Sequence, residues 1–298
     1  MTAQESFGGL TIACALFLGS MGSMADAADL SPQPPCRCAS KHEGLAKLES
    51  GLAAIGGGTT GYVEGHLHKS ESKLENGELK GAGWALRGTV HTGLPDGWNI
   101  QLDGAYHEGK IDDLRLTSFS GTLHAYQRHP DRYALGAFLQ GSKAKARLSS
   151  LLAPPSAEQK LTDTVGGLEG AYFLDNMTLI GKVGFGKSSL AGLDADHLLA
   201  EAGIRYYYND NIRFDLEGGI DRLSSDEARY DVTSLSALAN YRFDERPFSV
   251  FAGYRHETAK VKTHATSDKV RTGTLMAGAR FHFGSGSLKE EERHGPLW

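Results

Sequence analysis

The chain lacks most of the features that assign a protein at a glance. Its three cysteines, Cys14, Cys36 and Cys38, are too few and too clustered for a disulfide framework. Prolines number 9 against 38 glycines, without a G-X-Y repeat, which excludes a collagen-like polymer and suits strands joined by tight turns. The formal net charge of −5 gives no basic excess for nucleic acid. No apolar run reaches the ~18 residues that a membrane-spanning helix needs. The twelve histidines show no metal-ligand spacing, and no Gly-x-Ser-x-Gly elbow is present, so neither a cofactor nor an enzyme is expected.

What is present is alternation. In "GWNIQLDGAYHEG" (97–109), Trp98, Ile100, Leu102 and Tyr106 alternate with Asn99, Gln101, Asp103 and His107, the period of a strand with one oily and one wet face. From residue 60 the pattern recurs over 60–69, 79–92, 97–108, 115–128, 132–142, 163–174, 177–187, 197–208, 211–222, 230–243, 247–258 and 270–283. These are about twelve strands, most near the ~9–11 residues of a tilted bilayer-crossing strand. Short turn-forming connections such as "LPDG", "HPD", "DN", "ND" and "DER" alternate with longer polar ones. That alternation predicts an up-and-down barrel with tight turns at one end and long loops at the other.

The two faces sharpen the prediction. Aromatics gather at the short-turn ends: Trp98, Tyr133, Tyr206, Tyr208, Tyr241, Phe243, Phe248, Phe281 and Phe283, a girdle of the kind found where acyl chains meet headgroups. The opposite parity carries Arg87, Lys182, Arg205, Arg213, Arg242, Arg255 and Arg280 with Asp103, Glu169, Glu201, Asp215, Glu217, Asp221 and Glu257. A lipid-facing barrel places these charges in its lumen, as wall groups that contact small hydrophilic solutes or as ion pairs that hold the interior shut.

The remainder is organised around that barrel. Residues 1–27 read as a signal peptide, with a short apolar run at 10–18 and a small-residue cleavage site before Ala28. Residues 28–59 combine a proline-rich linker with a helix that aligns Leu45, Leu48, Leu52 and Ile55, a possible plug. Residues 60–283 are the barrel and 284–298, "GSGSLKEEERHGPLW", a periplasmic tail. Cys36 and Cys38 pair with each other or across two chains, with His42 the one neighbouring ligand type. In the 143–161 segment, Lys143, Lys145 and Arg147 suit lipopolysaccharide phosphates.

The "ADAADL" junction, the units "GWNIQLDGAY", "YFLDNMTLIGKVGFG" and "RYYYNDNIRFDLEGGID", and the closing "GARFHF" resemble porin-like outer-membrane β-barrel proteins of Gram-negative bacteria. A helix followed by about twelve strands also resembles the translocator domain of autotransporters. The resemblance implies an all-β antiparallel transmembrane barrel exported to the outer membrane. Its partners would be lipid, lipopolysaccharide and the barrel-assembly machinery. The function expected is passive passage of small hydrophilic solutes, the alternative a plugged autotransporter-like, structural or adhesive barrel. Asp112-Asp113 and "DADH" (194–197) are similar to omptin-type protease loops but depart from their spacing.

Overall fold

The computed structural model describes residues 58–298 apart from 76, 113, 149–157, 191–192 and 264–266. Twelve strands follow one another: β1 (Thr59–Leu74), β2 (Gly77–Gly93), β3 (Trp98–Ile111), β4 (Leu114–His129), β5 (Tyr133–Leu148) and β6 (Glu158–Phe173). They continue as β7 (Met177–Leu190), β8 (Leu193–Asn209), β9 (Ile212–Ser224), β10 (Ala228–Arg242), β11 (Phe248–Thr263) and β12 (Ser267–Phe283). Each pairs with its sequence neighbours, and β1 closes on β12 in an antiparallel ladder from Gly61 opposite Phe283 to Lys73 opposite Arg271. Closure satisfies every ladder and leaves no sheet edge. Among the described residues no helix is long and apolar enough to cross a membrane. That excludes only crossing by helices.

The sequence places all twelve strands but ends them early on one side. β1 runs to Leu74, β5 to Leu148 and β11 to Thr263, so most of the expected long loops are strand. On that side the connections shrink to 75–76, 112–113, 149–157, 191–192, 225–227 and 264–266. The long–short alternation is therefore an alternation of polarity, not of loop length. Near these ends the outward positions are charged and exposed, among them Lys73, Lys80, Lys110, Arg115, Lys145, Lys160, Lys260, Lys262, Lys269 and Arg271. Such residues read as loop, but they occupy pleated strand with water on the outside.

The interior changes with height in the opposite sense. At the long-connection end, Leu116, Ala144, Ala146, Leu161, Leu223, Val232, Ala259, Val261 and Val270 form one buried cluster. Leu74, Leu79, Ile111, Leu114, Ala195 and Tyr230 pack against it, so every strand except β7 contributes. Side chains from all around the wall thus meet as an ordinary hydrophobic core. Below it the interior is polar and the exterior apolar. Leu67, Leu135, Leu168, Leu275 and Phe185 face outward at 63–70% exposure.

The nine girdle aromatics all point outward near the short-turn rim, Trp98 and Tyr208 most exposed. Tyr172 and Phe214 extend this belt. A second belt, absent from the sequence reading, crosses the barrel higher up through Trp84, Tyr106, Phe185 and Tyr254, with the Trp84 and Tyr106 rings 5.2 Å apart. From Trp98 to Tyr106 along β3 is eight residues, or about 26 Å of strand at ~3.3 Å per residue. With a tilt of ~40° the belts lie ~20 Å apart, close to the apolar band of a membrane barrel.

The last segment departs most from expectation. Residues 284–298 are not a free tail. Ser287 caps a short helix, α1 (Leu288–His294), by accepting from the Glu290 N–H at 3.0 Å. The Glu290 carboxylate in turn accepts from the Gly286 N–H at 2.6 Å, a reciprocal arrangement close to a capping box. The helix and the residues after it lie inside the short-turn mouth, with Leu288 and Leu297 fully buried. The short helix that the sequence placed before the barrel falls at residues outside those described, as do the signal peptide and Cys14, Cys36 and Cys38.

Candidate functional site

All thirteen charged residues assigned to the lumen, and Asp221 with them, face the interior, because strand parity holds through all of these positions, the register shift between Tyr207 and Asn209 lying beyond Arg205. The structure also shows what they touch. Arg280 grips Glu64 at 2.5 Å, with its guanidinium 4.2 Å over the Tyr62 ring. Arg213 meets Asp215 at 2.7 Å, and Asn240 donates to the same carboxylate at 2.9 Å. Arg255 meets Glu257 at 2.8 Å, and Lys182 meets Glu201 directly across the β7–β8 ladder at 3.0 Å. Arg87 lies 3.8 Å from Asp103. These pairs offset the desolvation that a lone buried charge would suffer.

Two imidazoles bridge further acids. His124 sits between Asp103 and Glu169, at 3.0 and 2.8 Å. His197 sits between Asp163 and Asp221, at 2.8 and 3.4 Å. Ser188 hydrogen-bonds Asp163 as well. This separates the protease-like "DADH": His197 points inward while Asp196 faces out to Lys187 at 2.5 Å. Asp112 is an exposed turn residue, and Asp113 lies outside the described residues. His68 and His107 stack with Nε2 atoms 3.1 Å apart, and among the described residues no group of three or more ligating side chains is placed to hold a metal ion.

The remaining cations turn toward the 284–298 segment. Arg205 lies at 4.0 Å from Glu217 but donates to Glu292 at 3.0 Å and to the Leu297 carbonyl at 2.7 Å. Thr178 donates to Glu292 at 2.6 Å. Arg242 donates to the Ser285 hydroxyl at 3.0 Å and to its carbonyl. Glu291 takes the His282 imidazole at 2.5 Å. Burial pushes the Glu291 carboxyl up, yet His282 and Arg280 outweigh it and hold the group below the usual carboxylate range. At the rim, Arg293 lies 4.4 Å over the Phe173 ring and donates to the carbonyls of Leu174 at 2.6 Å and Pro130 at 3.3 Å.

The innermost residues of the segment are held by their main chain. Arg128 donates to the Gly295 carbonyl at 2.6 Å, and the Gln101 side-chain oxygen accepts from the Leu297 N–H at 2.9 Å. Arg87 and Gln101 donate to the Trp298 main-chain oxygen at 3.1 and 3.2 Å. The Trp298 ring stacks on His124, 6.3 Å apart and 12° from parallel, and meets Tyr126 edge-on. Leu297 packs with Tyr126, Ala134, Ala171 and Phe173. Among the described residues, cavities of about 150 and 110 Å³ at mid-height both border Arg87, Arg205, Glu217 and Trp298.

Sequence reasoning missed Glu64, His124, Arg128 and Asp163, placed Gln101 only on the wet face of its strand and read His197 as part of a loop, although their inward parity matches that of the charges it found. Glu291, Glu292 and Trp298 were missed because "KEEER" reads as solvated surface when no partner is visible. The Ser287-x-x-Glu290 spacing was the one available signal of a helix start.

No protein-family model matches the chain, and no curated protein matches it. Among solved structures, the translocator domain of the autotransporter NalP from Neisseria meningitidis is similar at 13% identity and TM-score 0.50, over 82% of this chain and 95% of that one. The β domain of the Bordetella autotransporter BrkA matches at 12% identity and TM-score 0.49, over 75% and 100%. The Pseudomonas putida toluene transporter TodX matches at 13% and 0.44, over 78% and 91%. At such identities the likeness concerns the fold: this chain shares the closed barrel of the NalP translocator domain.

Proposed function

We propose that the chain is an outer-membrane β-barrel that rests closed, a plugged barrel of structural, adhesive or autotransporter-like kind and not a standing pore. Placement in a membrane is supported by the exterior. An exposed apolar surface bounded by two aromatic belts far exceeds what a soluble monomer leaves in water, and lipid covers it at no cost. Entry into that membrane would use the barrel-assembly machinery, and the charged outer collar would meet lipopolysaccharide.

The single observation that carries the closed reading is that both ends of the lumen are occupied. A hydrophobic core contributed by eleven strands fills one end, and α1 with Gly295–Trp298 fills the other. Between them the cations and acids expected to guide small hydrophilic solutes are engaged with each other or with that segment. Passive solute passage therefore draws less support than closure. Full-length chain refolded into a planar bilayer tests the reading: it should give no steady single-channel current. A stable, weakly selective conductance would return the balanced lumen charges to the porin reading.

A further inference from the structure

A barrel filled at one end by its own core and at the other by a peptide segment has the geometry of a cup, not of a tube. Its walls are polar, its floor is the hydrophobic core, and it opens only at the short-turn mouth. What the walls recognise there is peptide backbone. Arg128, Arg205, Arg87 and Gln101 direct their donors at the main-chain oxygens of Gly295, Leu297 and Trp298, and Gln101 also accepts the Leu297 N–H. One side-chain amide that both donates and accepts offers a peptide main chain the donor and acceptor that a neighbouring strand's backbone would. Side-chain selectivity is confined to two places. Leu297 enters the apolar pocket of Tyr126, Ala134, Ala171 and Phe173, and Trp298 lies flat on His124.

The occupant leaves capacity unused. Nε and Nη1 of Arg128 and Nε of Arg205 are buried without a hydrogen-bond partner among the described residues, as is the Trp298 indole N–H. Both cavities border Arg205 and Trp298, and the larger also borders Leu297, so a side chain bulkier than Leu has room at position 297. Arg293 of α1 is held at the rim, and Glu291 and Glu292 are held inside by side-chain contacts, so the helix can leave without breaking a strand ladder.

We propose that the lumen is a peptide-binding cup, and that Gly295–Trp298 is an exchangeable occupant recognised through its main chain. A non-helical segment that presents an apolar residue followed by an aromatic one is the ligand class, supplied here in cis and acceptable in trans. The inference rests on the closed reading of the barrel but is tested separately from it, because binding and conductance are different measurements.

The probe is a fluorescein-labelled, C-terminally amidated peptide of residues 284–298, titrated by anisotropy against full-length chain in detergent. The Leu297→Ala/Trp298→Ala chain, whose own segment is weakened, should bind it saturably and at least tenfold more tightly than the unsubstituted chain does. Adding Gln101→Ala and Arg205→Ala should lower that affinity at least tenfold, with a strand-rich circular dichroism spectrum retained. Should those substitutions unfold the barrel, Gln101→Glu alone serves, since it keeps the acceptor and loses the donor, and a drop of at least threefold is expected. Absence of saturable binding to the folded Leu297→Ala/Trp298→Ala chain overturns the proposal. So does equal binding by all folded variants, which would mark adhesion to the outer surface. A conducting full-length chain that still binds the peptide would overturn closure and leave the cup standing.

Discussion

Two halves of one strand, β11, show what organises the whole molecule. From Phe248 to Tyr254 the even positions Phe248, Val250, Ala252 and Tyr254 point outward and are apolar. From Thr258 to Lys262 the even positions still point outward, but they are Thr258, Lys260 and Lys262. The odd positions make the reverse change, from Ser249 and Arg255 below to Ala259 and Val261 above. No bulge separates the halves, so the pleat fixes which residue faces which way and only the surroundings decide its polarity. Below, the exterior is apolar and the interior polar. Above, the exterior is charged and the interior is a core. On the proposed reading the lower half is membrane barrel, and the upper half follows the rules of a soluble one.

That contrast can be broken at single residues. The largest effect is expected inside the upper half, where Val261→Asp places a lone carboxylate in a site 1% exposed. A loss of about 4 kcal/mol should appear in urea titrations of folding into vesicles. Inside the lower half the same chemistry is native, and there it is removal of a charge that harms. Arg280→Gln strands Glu64 and should cost about 3 kcal/mol, much of which Glu64→Gln/Arg280→Gln recovers. If the double variant is no better than the single, the pair is not a unit.

Outside the lower half, Leu168→Arg at 63% exposure would be nearly neutral in a soluble protein. Facing lipid, it should cost about 2–4 kcal/mol. A smaller effect comes from acid. Glu291 is held below its ordinary value of 4.5, so its ionised form stabilises the docked segment above that pH, and the stabilisation fades as pH falls through the lowered value. Acrylamide quenching of Trp298 in a Trp84→Phe/Trp98→Phe background should rise as the pH falls below that ordinary value. Glu291→Gln should remove that step. Least is expected outside the upper half. Lys260 stands directly across from Lys269, a like-charge pair, and Lys269→Ala should shift stability by less than about 0.5 kcal/mol and in the favourable direction.

The same contrast explains how much was legible in the sequence. Period-two alternation exposed every strand and the facing of each lumen charge, since one parity runs the length of each strand. It did not reveal the upper ends, because Lys143, Lys145 and Arg147 alternate with Ala144 and Ala146, too small to mark an apolar face. Nor did it reveal the fate of 284–298. The helix there buries Glu291 and Glu292 against His282 and Arg205, so its inner face carries the polarity that normally marks an outer one. Polar-in burial is invisible until the polar partner is known, and that partner is the barrel wall.

The most direct test of the account puts one reporter in each half. Single cysteines at Leu168 and Lys260, in a chain with Cys14, Cys36 and Cys38 replaced by serine, carry an environment-sensitive fluorophore after folding into vesicles. The account predicts strong quenching by nitroxide-labelled lipid at 168 and by aqueous iodide at 260, with little of the converse. Iodide quenching at both positions would mean that the apolar band does not face lipid, and the membrane barrel would have to be abandoned.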